Sequence, residues 1–131
     1  MPAPAIQAAY DALPPEGQTR ALALRALVLE TAQAMPELGG LDECLKWGQP
    51  AYLPRKPRIG TTLRIGASPS HALLYVPCTT TLVTAWREVF SGVEFIDNRA
   101  AGFTHAAALP KAIIARMVLD ALRYHLDRRA K

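Results

Sequence analysis

The spacing of apolar residues changes along the chain. Up to residue 35 they recur at helical intervals, from 41 to 76 they fall largely into alternation, and after 79 the helical interval returns with one short interruption. The first segment predicts a short helix over Ala3 to Leu13, closed by Pro14-Pro15 because the second proline forces the first out of the α region. Pro15 can open the next helix, since a proline in the first turn sacrifices no hydrogen bond. That helix is expected from about Pro15 to Met35, with Leu24, Leu27, Val28, Thr31 and Met35 on one stripe and Leu22 and Leu29 opposite. A helix apolar on two sides needs two covers, supplied by a neighbouring helix and the sheet or by a second subunit. Pro36 and Gly39-Gly40 stop it.

Glu43 to Leu53 reads as a first strand interrupted by Gly48 and Pro50; proline cannot donate to a ladder, which puts this strand at an edge or bulges it there. Pro54 to Arg58 is a turn, Thr61 to Ile65 a second strand, Gly66 to Ser70 a loop, and His71 to Val76 a third strand, in the simplest case an antiparallel meander. The Thr79-Thr80-Thr81 run can cap a helix with Leu82, Val83, Trp86, Val89 and Phe90 on one face, and Gly92 suits its left-handed end. Val93 to Ile96 and Ala100 to Thr104 are two short strands around Asp97-Asn98. Pro110 opens a final helix to about Asp127, with Ile114, Met117, Val118, Ala121 and Tyr124 inward, His125 on the apolar side, and Arg116, Asp120, Arg123 and Asp127 outward. The expected fold is α+β: residues 1–131 as a single domain, an antiparallel sheet with helices packed mainly on one face, in the order α-α-β-β-β-α-β-β-α.

At 131 residues the chain can bury a sizeable core without metal or disulfide staples. A net charge of +4 permits acidic partners, but the basic residues are scattered outside Arg55-Lys56-Pro57-Arg58 and the tail, and no basic face is interleaved with stacking aromatics. That argues against nucleic acid as a partner. Cys44 and Cys78 match no metal or redox spacing and are expected as buried thiols. The opening residues lack the basic start and apolar run of a signal peptide, and no stretch approaches the ~20 apolar residues of a membrane span; a cytoplasmic location and no membrane partner follow.

Lys46-Trp47-Gly48-Gln49-Pro50-Ala51-Tyr52 resembles the K-W-G-x-P-x-Y signature of the YdhG-like family (domain of unknown function 1801), and the order of elements around it is similar over nearly the whole chain. Two segments depart from the family pattern. Pro69-Ser70-His71 keeps the histidine of a K-N-H turn and loses its lysine, and Asn98 to Phe103 replaces a glycine- and lysine-rich run. The resemblance implies one specific alternative, a frataxin-like intracellular iron chaperone, so iron enters by family analogy alone. An iron carrier needs grouped oxygen or imidazole ligands. The nearest approach to a cluster is Glu30, Glu37, Asp42 and Glu43, read as solvated loop charge.

By alternation His71 shares a sheet face with Leu73 and Tyr75, and in a meander the same face can carry Arg64 and Trp47. An imidazole, a phenol, a guanidinium and an indole on one concave surface are what a small-molecule pocket commonly offers. With Tyr52 from the signature, the candidate ligand-binding set is Trp47, Tyr52, Arg64, His71 and Tyr75, with no catalytic or metal-ligating residue assigned. Cys78 near a helix start lacks a histidine at any nucleophile spacing, which turns the reading away from an enzyme. The expected function is a non-enzymatic binding or carrier module for a small molecule. The doubly apolar helix leaves a homodimeric interaction module as a further alternative.

Overall fold

A computed structural model describes residues 2–130. Helices α1 (Pro4–Asp11) and α2 (Pro15–Gln33) and a 3-10 turn (Pro36–Leu38) lead into strands β1 (Leu41–Lys46), β2 (Gln49–Pro54), β3 (Leu63–Ala67) and β4 (His71–Tyr75). Then follow α3 (Leu82–Val89), the hairpin β5 (Glu94–Ile96) and β6 (Ala100–Thr104), and helices α4 (Lys111–Leu122) and α5 (Tyr124–Arg129). The strands form one antiparallel sheet in the order β1-β2-β3-β4-β6-β5. Among the described residues no helix is long and apolar enough to cross a membrane.

All core-forming helices lie against one side of the sheet. Ile6 and Tyr10 of α1, Ala21, Leu24 and Val28 of α2, Trp86 of α3 and Ile114, Met117 and Val118 of α4 join one cluster with Tyr52, Leu63, Ile65, Ala72, Leu74, Ala101 and Phe103 from the strands. Those strand residues fall on a single face by register, since Tyr52 opposes Leu63, Ile65 opposes Leu74, and Leu74 opposes Ala101. Burying so many apolar side chains on one face is what fixes the register, because a slip of one residue would turn them all outward.

The segment expected as one interrupted strand is a tight hairpin. Trp47 and Gly48 both have positive φ, 56° and 74°, and join Lys46 to Gln49 directly. Two consecutive left-handed residues make the turn whose twist matches that of the flanking strands. Pro50 and Pro54 lie on β2 at the two ends of its short pairing with β3, which spans only Ala51 and Tyr52. Neither proline can donate a hydrogen bond there, so β2 and β3 hold together over two positions.

Three further expectations are corrected. The final helix breaks at Arg123, where the Ile59 carbonyl accepts the amides of both His125 and Leu126; His125 turns out exposed. In α3, Trp86 is buried with its indole N–H on Asp120 (3.0 Å), but Val89 is 70% exposed because the helix ends there, ahead of Gly92. Cys44 is half-buried and Cys78 exposed, both free thiols.

Candidate functional site

The face of the sheet opposite the helices carries side chains in rows set by the register. Ala51, Arg64, Tyr75 and Ala100 stand opposite one another in one row, and Gly66, Leu73, Gly102 and Glu94 in the next. His71 and Thr104 begin a third. Two glycines flanking a leucine in the middle row leave a trough in the face, and the rings beside it lean in. A β-carbon at Gly66 would lie 3.0 Å from the Tyr75 ring, and one at Gly102 would lie 3.4 Å from Cδ2 of His71.

One rim is cationic and aromatic. The Arg64 guanidinium lies 5.4 Å from the Tyr75 ring centre and donates to the Gln49 side-chain carbonyl (2.9 Å), with no carboxylate opposing it among the described residues. The other rim is a polar relay. His71 Nδ1 contacts the Ser70 hydroxyl (2.7 Å), and Nε2 meets the Glu94 carboxylate across Gly102. A carboxylate can only accept, so Nε2 carries the hydrogen on that side. A β-carbon at 102 would make ordinary contact with His71, whereas a branched side chain there would fill the trough beside this bridge.

Cavities open on both sides of the His71–Glu94 bridge. One of about 570 Å³ is bounded by His71, Glu94, Gly102, Thr104 and Pro110, and another of about 290 Å³ by Ser68, His71, Leu73, Glu94 and Ile96. Their size suits a small metabolite. A hydroxyl, an imidazole and a carboxylate in line invite comparison with acyl-transfer sites. However, the amides of Ser70 and His71 are both directed at Ser68 Oγ, so the nearest backbone donors are not free to stabilise an oxyanion. The arrangement is suited to holding a polar molecule.

Of the residues expected from the sequence, Arg64, His71 and Tyr75 share this face. Trp47 stands at the tip of the β1–β2 hairpin, 90% exposed, beyond the row that holds Gln49. Tyr52 belongs to the opposite face: it is fully buried, hydrogen-bonded to the Tyr10 hydroxyl (2.7 Å), and donates to Glu43 (2.6 Å). It is removed from the ligand set, because its parity follows from pairing with Leu63. Glu94, Ser70, Gly66 and Gly102 went unassigned in the sequence. A polar residue in alternation with apolar neighbours, as in Val93-Glu94-Phe95, was the available signal for Glu94.

Three of the four acids around the end of α2 and β1 are matched by arginines. Glu43 pairs with Arg25 (2.6 Å), Asp42 with Arg55 (3.0 Å) and Glu37 with Arg123. Burial pushes the Glu43 carboxyl up, but the hydrogen bonds from Arg25 and Tyr52 outweigh it and leave it below the usual glutamate value. Among the described residues no three His, Cys, Asp or Glu side chains converge as a metal site would require.

This fold is similar to that of a protein from the DUF1801 family, YdhG of Bacillus subtilis. The fold is the same. The two superpose with a TM-score of 0.66 over 95% of this chain and 91% of that one, at 13% sequence identity. No family model matches the chain, and no curated protein matches it in sequence.

Proposed function

We propose that this chain is a YdhG-like cytoplasmic protein that binds and carries a small polar molecule on the helix-free face of its sheet, without transforming it. The observation that carries this reading is the His71–Glu94 bridge set between two cavities that both have Gly102 in their lining. Glycine at both 66 and 102, in register on either side of Leu73, keeps the middle of this face open in strands that would otherwise favour β-branched residues, and at 66 it also makes room for the Tyr75 ring. Arg64, held by Gln49 and without an acidic partner among the described residues, supplies a second polar contact for a molecule lying along the trough. The signature residues and the shared fold support the YdhG-like designation.

A thermal-shift screen of small carboxylates, phosphates and amines tests this. A compound present at a hundredfold excess over its Kd stabilises by about 2.7 kcal/mol, a shift of several degrees. The shift is expected to vanish in both His71→Ala and Gly102→Val and to persist in Trp47→Ala. A panel with no stabilising compound, or hits indifferent to both face substitutions, overturns the proposal.

A further inference from the structure

Strand β1 is an edge of the sheet, and its tip carries the most exposed large apolar side chain among the described residues. A two-residue loop closes on a hydrogen-bonded pair, here Lys46 and Gln49, so the even-numbered residues of β1 exchange their backbone bonds with β2. The Arg55 amide on the Gly40 carbonyl (2.9 Å) continues that series. The backbone groups of Leu41, Glu43 and Leu45 therefore point away from the sheet, ready to pair. Proteins usually defend such an edge with charges, prolines or a covering element. β1 does carry Asp42, Glu43 and Lys46, but Leu45 is 41% exposed and Trp47 90% exposed beside them.

We propose that two copies of this chain dimerise by antiparallel pairing of their β1 strands about a two-fold axis through Cys44, with Trp47 of each copy anchored on the other. The strand is self-complementary in this register. Asp42 and Lys46 are equidistant from Cys44 and stand on the same sheet face, so each carboxylate meets the ammonium of the second copy, twice over. Glu43 and Leu45, whose free backbone groups face outward, become the hydrogen-bonded pairs. Leu41 comes opposite Trp47.

That last pairing gives the indole a place to go. Leu41 lines a cavity of about 330 Å³ with Leu29, Ala32, Met35 and Pro36, large enough for an indole ring. The two-fold axis is perpendicular to the sheet, so both helix layers lie on the same side, as the cavity and Leu41 do. Trp47 also holds a left-handed conformation that bulky residues rarely adopt, a cost consistent with a side chain presented to a partner. None of Arg64, His71, Tyr75 or Glu94 lies on this edge, and the proposal is independent of the ligand reading.

The register predicts a reaction between native residues. Cys44 would face its own copy at a non-hydrogen-bonded position, where Cα atoms are ~4.5 Å apart and a disulfide fits. In a Cys78→Ser background, diamide should link the full chain into a covalent dimer on non-reducing gels, and adding Cys44→Ser should abolish it. Sedimentation equilibrium should give a concentration-dependent dimer of the 14.2 kDa chain. Trp47→Ala should weaken it about tenfold or more. Asp42→Lys or Lys46→Asp alone should disrupt it, and the two together restore it. A monomer at every concentration overturns the proposal, with or without a peptide bound at the edge. So does a dimer that forms no Cys44 link or ignores the charge exchange, since its interface then lies elsewhere.

Discussion

At the scale of single residues, Trp47 is the position where the needs of the fold and the side chain present disagree. The hairpin wants Asn-Gly, because asparagine tolerates positive φ and tryptophan does not. Trp47→Asn should therefore stabilise the monomer by about 1 kcal/mol, raising Tm by ~3–5 °C in a domain of this size. Differential scanning calorimetry at low concentration, where association plays no part, measures this. An unchanged or lowered Tm would mean that the indole makes stabilising contacts within its own chain. The same conflict hid the turn in the sequence: without asparagine or aspartate before it, Gly48 signalled a bulge rather than a two-residue loop.

Elements were legible where one periodicity decided them. Helices α1, α2 and α4 and strand β4 lie where the apolar spacing puts them, because each turns a stripe or a face toward the same core, whereas β6 was legible only from the Asp97-Asn98 turn before it. The break between α4 and α5 was not legible, since no proline or glycine marks it. It is imposed from outside by the segment between β2 and β3, whose Ile59 carbonyl takes two helix amides while the Thr61 amide donates to Ala121 (2.9 Å). Gly60, between them, packs its α-carbon on the Leu122 backbone, and any β-carbon would overlap that carbonyl. Two backbones cannot yield as a flexible side chain can. Gly60→Ala is thus expected to cost ~2–3 kcal/mol, from overpacking and the strained contact. Chemical denaturation measures this, and a loss under ~0.5 kcal/mol, the level of an ordinary surface change, would show that the segment and helix separate freely. The ligand face was half legible for a related reason. Alternation says which residues of one strand share a side, but only register relates one strand to the next, and neither the parity of Tyr52 nor the alignment of Gly66 with Gly102 is written within a strand.

On the scale of the whole molecule, the helix layer is tied to the outer strands by a polar chain. Arg25 of α2 holds Glu43 of β1, Glu43 accepts the Tyr52 hydroxyl of β2, and Tyr52 meets Tyr10 of α1. Both tyrosines are fully buried, and burial, the largest influence on each, drives their pKa values well above the ordinary 10. Tyr124 goes the other way: burial pushes it up, but hydrogen bonding with Thr81 and the Arg128 charge outweigh that and lower it. The consequence for stability has a definite sign. Above pH 10 the unfolded chain sheds the Tyr10 and Tyr52 protons that the folded protein retains, so the folded state binds more protons and stability falls as pH rises. Each tyrosine contributes a slope approaching ~1.4 kcal/mol per pH unit in that range, and none below it. A joint titration of tyrosinate absorbance and circular dichroism should show Tyr124 ionising while the fold is intact. The absorbance of Tyr10 and Tyr52 should then appear only together with the loss of secondary structure. Tyr52→Phe should reduce that late absorbance step and make the alkaline decline shallower. If both buried tyrosines ionised in a protein that kept its circular dichroism, solvent would have to reach the interface between α1 and β2. The chain from α2 to α1 would then be a local lock that opens by itself, rather than part of a core that unfolds as one unit.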